Sequence, residues 1–208
     1  CGLDPGIDHM SAMQLIDRIK ADGGELTSFE SFAGGLIAPT TDPDNPWRYK
    51  FTWNPRNVVM AGQGTARFLD ESTTKYISYQ QLFKRITTVH IPELGEFEGY
   101  ANRDSLKYLK AYGLQHIDTM VRGTLRHAGF CSTWNILVQL GCTEDGYQME
   151  QVDKMTHREF INSFLPVRTA ETVESKVIAL FGLDEQGHEM NCLRWSGFFD
   201  RELIGLRQ

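Results

Sequence analysis

The chain has 208 residues, 41% of them hydrophobic and 23% charged, with a net charge of −6. That length allows one large or two small domains with a sizeable core, and the acidic balance argues against nucleic acid or an anionic membrane surface as the main partner. No run approaches a transmembrane span and no signal peptide is visible; the four cysteines (Cys1, Cys131, Cys142, Cys192) lack CxxC spacing and read as reduced thiols in a reducing, cytoplasmic compartment.

The first element predicted is a helix over 8–21. Ala12, Leu15, Ile16 and Ile19 share one face, Asp8 is placed to cap the start, and Gly23-Gly24 ends it. Residues 25–38 alternate and read as a strand broken near Gly34-Gly35. PTTDPDNP is a loop, WRYKFTW (47–53) a further strand, and 56–69 a helix. Short strands follow around 75–78, 86–92 and 97–100, then a helix at 105–112 stopped by Gly113, then a strand over 116–127. Beyond residue 130 the pattern turns helical, at 133–140, 147–155, 157–164 and 170–181, with THRE (156–159) as a capping box. The fold class is therefore α+β, with a mixed-sheet part over 1–130 and a helical part over 131–208.

Several stretches invite a chemical reading. GQGTAR (62–67) begins like a dinucleotide fingerprint, but Arg67 stands where the third glycine belongs and no βαβ unit surrounds it, so it is a decoy. Asp4-Pro5-Gly6 leads into a helix N-terminus and is either a capping turn or the polar wall of a site; His9 behind it is a structural histidine or a proton carrier. In YANRDS (100–105), Asn102 and Arg103 end a strand just before a helix capped by Asp104 or Ser105. This is an anion site or a surface arginine paired with an acid. In VRGTLRHAG (121–129), Arg122, Thr124 and Arg126 share strand parity and project to one face. Two arginines there require an acidic partner or an anionic ligand, or form a solvated salt-bridged face, and Gly123 suggests close approach by a ligand or by backbone. His and Cys spacings give no metal set, and no nucleophile motif is found.

Taken together, GLDPGIDHM, SFAGGLIAP, RYKFTWNPRNV, YANRDS, VRGTLRHAGF and the later WSGFF resemble the saccharopine dehydrogenase family in order and spacing, over nearly the whole chain. The pattern is most similar to the NADP-dependent, glutamate-forming reductases. The resemblance implies an open mixed sheet with helices on one face, like the C-terminal domain of glyceraldehyde-3-phosphate dehydrogenase, with an inserted all-helical region. It also implies that the nucleotide-binding Rossmann domain lies outside this chain, with the Asp-Pro-Gly turn facing the cleft toward it. NADP would then be bound mainly by that other domain.

The implied chemistry is hydride transfer to the imine of glutamate and aminoadipate semialdehyde, giving saccharopine, a step of lysine metabolism. Saccharopine and glutamate are the implied small-molecule partners. By resemblance Arg103 is a substrate-binding arginine, Thr124, Leu125 and Arg126 form a substrate segment with Asn102 beside it, and Asp4 lies near the nicotinamide. One departure is Ala33, where many of these reductases have cysteine before Gly-Gly. No proton donor is identified. The rival readings are a related imine reductase of the carboxynorspermidine-synthase type, a non-catalytic ligand-binding or dimerisation module, and a scaffold whose arginine face serves a protein partner. A homodimer stays open.

Overall fold

Residues 2–61, 63–168 and 171–205 are described by a computed structural model of the chain. The expectations touching Cys1, Gly62 of the decoy motif and the start of the helix at Ala170 fall outside them. The chain divides into two units, Cys1–Leu36 with Phe51–Ala128, and Ile37–Lys50 with Gly129–Gln208.

The first unit is built on helix α1 (Ile7–Ala21) and strands β1 (Ser28–Ala33), β2 (Ala66–Asp70), β3 (Thr73–Ile77), β4 (Thr87–Ile91), β5 (Gly95–Ala101) and β6 (Thr119–His127), with short helices α2 (Pro55–Ala61) and α3 (Tyr79–Leu82). The sheet is mixed, as expected. Its order runs β3-β2-β6-β5-β4, all antiparallel, and β1 adds to β6 in parallel. The nine-residue β6 is the hub, bonded to β1, β2 and β5.

Helix α1 packs its Ile16 against Phe29 and Met120 of the sheet, with Tyr112, Leu114 and Ile117 closing the core. Ile16 and Met120 are essentially inaccessible, and each such burial contributes about 1.5–3 kcal/mol. Met13 joins this face, whereas Leu15 is exposed. Asp8 is not the N-cap: Gly6 is, and the Asp8 carboxylate reaches back to accept from Gly6 N–H at 2.8 Å.

Two strand and helix assignments differ. The stretch 47–53 forms no strand, and 56–69 splits into α2 and β2. Residues 66–70 pair antiparallel with β3, and Leu69 meets Met120 of β6. The helix expected over 105–112 is a single 3-10 turn at Leu106–Tyr108, whose first N–H is capped by Asp104 Oδ1 at 3.0 Å.

The second unit is helical: α4 (Phe130–Leu140), α5 (His157–Asn162), α6 (Val173–Phe181) and α7 (His188–Trp195). The expected helix at 147–155 is only a 3-10 turn at Val152–Lys154, and α7 was not anticipated. Thr156 and Glu159 do form the capping box of α5. Segment 37–50 belongs to this unit because Trp47 is buried, stacks edge-on against Phe130 and Trp134, and donates from Nε1 to Cys192 O at 3.0 Å. Asn45 shapes that loop by accepting from Trp47 N–H and donating to Tyr49 O.

Candidate functional site

The sheet's period of two sorts the β6 side chains. Met120, Arg122, Thr124 and Arg126 lie on the face that α1 covers, and Val121, Gly123, Leu125 and His127 on the other. Arg122 and Arg126 thus share a face, as their spacing predicts. They are not solvated: Arg122 is 4% and Arg126 8% exposed.

Arg122 has the acidic partners that such a pair demands. Its Nη2 donates to Asp8 Oδ2 and, at 3.3 Å, to Asp4 Oδ1. Its guanidinium also lies 4.2 Å from the centre of the Tyr108 ring, a stacked cation–π arrangement. Burial alone would discourage the charge on Arg122, but Tyr112, Asp4, Tyr108 and Asp8 around it outweigh burial and hold its pKa above the ordinary value. Tyr112 completes the cluster. Its hydroxyl lies 2.5 Å from His9 Nδ1, and burial pushes its pKa up. Asp4, Asp8 and His9 also stand close enough together for a metal ion, yet the cation between the two carboxylates is the Arg122 guanidinium. Asp8 is sealed, whereas the Asp4 side chain is 37% exposed. Asp4 is the member of the cluster that still faces outward, in the turn before α1 where its bond to Pro5 is cis.

Asn102 and Arg103 leave the end of β5 beside this face. Asn102 N–H donates to Arg122 O at 2.8 Å, and its Oδ1 accepts from Thr124 Oγ1 at 2.8 Å. Asn102 and Thr124 are therefore one hydrogen-bonded pair. Ser105, fully buried, accepts from Arg122 N–H and fixes the same corner. Arg103 is exposed and donates to Met60 O at 2.9 Å. The neighbouring acid, Asp104, pairs instead with Arg67 through two bonds of 3.0 and 3.2 Å. Arg67 is the residue that spoils the decoy fingerprint.

Arg126 donates from Nη1 to Leu125 O at 2.9 Å, and Glu98 stands opposite it in register on β5. The expected substrate segment Thr124-Leu125-Arg126 is thus split by the pleat. The Leu125 side chain is buried on the opposite face, and only its carbonyl touches the arginine. Gly34, just after β1, must be glycine: a Cβ there would sit 2.1 Å from Leu125 O and 3.2 Å from Arg126 Nη1. The close approach suspected at Gly123 comes from the protein itself, since its missing Cβ makes room for the Phe32 ring and Tyr100 O.

The geometry therefore joins Asp4, Asn102, Thr124 and, through Arg122, His9 and Tyr112, while Arg126 lies on the same sheet face. Tyr108, Tyr112 and the role of Asp8 were not found from sequence. Their signal is the pairing of one short turn with α1, which no local pattern encodes. The glycine-containing stretch before β2 leads into an antiparallel hairpin rather than a helix N-terminus.

Residues 2–178 match the saccharopine dehydrogenase C-terminal domain family. The saccharopine dehydrogenase [NADP(+), L-glutamate-forming] of Pyricularia oryzae is 33% identical over 98% of this chain and 46% of its own length. The mitochondrial alpha-aminoadipic semialdehyde synthase of Bos taurus is 34% identical over 98% of this chain and 22% of its own. Among solved structures, the apo, L-Glu-forming saccharopine dehydrogenase from Saccharomyces cerevisiae superposes with a TM-score of 0.81 at 31% identity, covering 99% of this chain and 47% of that one. The chain thus spans less than half the length of these relatives. With the family's motifs in place and the mixed sheet carrying them, the chain belongs to the saccharopine dehydrogenase C-terminal domain family.

Proposed function

We propose that this chain is the substrate-binding part of a saccharopine dehydrogenase-type oxidoreductase acting on a CH–NH bond. The reaction is the NADPH-dependent reduction of the imine formed by glutamate and aminoadipate semialdehyde. What supports the reading best is the hydrogen-bonded Asn102–Thr124 pair beside Arg122, which Asp4 partners, with Arg126 on the same face of β6, in a chain of this family.

Saccharopine carries three carboxylates, and an acidic protein meets such an anion only where arginines are gathered. In this reading Arg103 and Arg126 hold carboxylates, and the Asn102–Thr124 pair supplies hydrogen bonds. The Leu125 backbone sets the position of Arg126, and Asp4 lines the edge of the site toward the nicotinamide. Positioning and charge neutralisation then supply most of the rate effect. The cofactor supplies the hydride, and its phosphates are held outside this chain. Alone, the chain is expected to give no NADPH-dependent turnover. The free thiols Cys131, Cys142 and Cys192 suit a reducing compartment, proposed to be the cytoplasm.

The test is calorimetric titration of the chain with saccharopine, repeated on Arg103→Ala. Binding that disappears in the variant supports the reading. Equal binding by both proteins removes Arg103 from the site. If neither binds, the titration is repeated on a longer protein carrying the nucleotide domain, in the presence of NADPH; no binding there rejects the assignment.

A further inference from the structure

A cavity of about 410 Å³ opens in the second unit, lined chiefly by α5, α6 and the segment 165–168. Lys176, on α6, is 9% exposed, yet among the described residues its ammonium has one partner, the neutral Asn162 Oδ1 at 3.0 Å. A buried ammonium with one amide oxygen keeps two donors unspent and no opposing charge. Arg158 lines the same cavity. Its Nε donates to Phe199 O at 2.8 Å, which anchors the guanidinium, and its terminal nitrogens make no hydrogen bond among the described residues.

The acids nearby do not neutralise these cations. Glu159 is turned back on Thr156, accepting from its N–H and its hydroxyl at 2.8 Å each, which holds its carboxyl below the usual range. Glu171 faces Arg168 at 3.5 Å. The remaining wall is aliphatic: Leu165, Pro166 and Val173.

We propose that this cavity binds a small aliphatic carboxylate, with Lys176 and Arg158 as its counter-cations. An anchored guanidinium fork matches a carboxylate's two oxygens, and the ammonium adds a point charge beside it. The aliphatic wall then accepts the hydrocarbon part. Bare phosphate fits less well, because that wall would strip water from its remaining oxygens with nothing in return.

The probe is 4-methylpentanoate, titrated into the 208-residue chain and followed through backbone amide shifts. Inorganic phosphate serves as the comparison. The expected result is saturable movement of amides in α5 and α6, weakened by about ten-fold or more in Lys176→Met. That variant keeps the aliphatic stem. Should Lys176→Met fail to fold, Arg158→Gln gives the same reading from the half-buried second cation. Equal affinity in wild type and variant overturns the proposal, as does the absence of saturable shifts in these helices. Phosphate binding as tight as the carboxylate's overturns the ligand class.

Discussion

Arg122 and Asp8 stand 114 residues apart in sequence and meet as an ion pair in which the arginine side chain is 5% and the carboxylate 3% exposed. The contact ties the hub strand to the first turn of α1. Breaking it from the arginine side strands the buried Asp8 carboxylate, whereas Arg122 without Asp8 keeps Asp4. Arg122→Met is expected to cost about 3–5 kcal/mol in urea denaturation. Replacing both partners, as Asp8→Leu with Arg122→Met, is expected to cost clearly less than the single change. A single variant as stable as wild type would remove the pair from the list of fold determinants.

Gly99 and Gly123 accommodate the same Phe32 ring, but in different ways. The three atoms nearest a Cβ on Gly99 all belong to that ring, the first at 2.7 Å, whereas a Cβ on Gly123 would also meet Tyr100 O at 2.7 Å. Gly99→Ala should destabilise by about 1–3 kcal/mol and be rescued by Phe32→Leu. Gly123→Ala should be rescued poorly by the same second change. Thermal midpoints of the four variants decide the matter, and equal rescue at both sites contradicts the backbone contact.

The capping box of α5 gives a pH signature. Thr156 N–H and hydroxyl hold the Glu159 carboxyl below its ordinary value of 4.5. A lowered folded-state value means that the contribution is fully present above about pH 4.5 and fades as the pH falls through the lowered value. Thr156→Ala should lose about 1 kcal/mol at neutral pH. Its stability should also fall less steeply on acidification than that of wild type. The Thr156 N–H, the larger cause, survives in that variant, so Glu159→Gln should flatten the acid limb further, and a Glu159→Gln limb as steep as that of wild type would contradict the assignment.

Arg103 makes a joint prediction about stability and binding. Arg103 is exposed, so Arg103→Ala should shift stability by no more than about 0.5 kcal/mol while abolishing saccharopine binding. Loss of binding together with a large drop in the thermal midpoint would assign Arg103 a structural role instead.

The thiols offer a direct check on burial. Burial pushes Cys142 up to about 12 and Cys192 up to about 11, so neither is a thiolate at neutral pH. Iodoacetamide at pH 8 should leave both unmodified in the folded chain and alkylate them in urea, as read by mass spectrometry of the peptides.

Much of the sheet was legible because β5 and β6 alternate, and α1 was legible from Ala12, Ile16 and Ile19 although Leu15 of the same expected face is exposed. The parity of Arg122, Thr124 and Arg126 was legible for the same reason. What stayed hidden depends on distant partners. WRYKFTW alternates like a strand, but a strand needs an open edge; Trp47 instead finds its place against Phe130, Trp134 and Cys192 O. Residues 66–69 read as helix, and became strand because β3 and Met120 were there to pair with them. Helix α7 was missed because it is short and begins at Gly187 without a side-chain cap. In the candidate site, the need for acids beside the paired arginines was readable. That Asp4 and Asp8 would supply them, with Tyr108 and Tyr112 alongside, was not, because those contacts join α1 to residues about a hundred positions away.

The hub position of β6 has a consequence for how the chain is made. Ser28–Ala33 pairs in parallel with residues 119–124, so the ribosome must deliver about ninety more residues before β1 has anything to bond. At about 5–20 residues per second that is a wait of several seconds. During it the β2–β3 and β4–β5 hairpins can close on their own, but the strand that unites them has not yet emerged. Over that interval the β2–β3 hairpin, complete at Ile77, and then the β4–β5 hairpin, complete at Ala101, emerge in turn before β6 begins at Thr119, so their apolar faces and that of α1 wait for the strand that joins them.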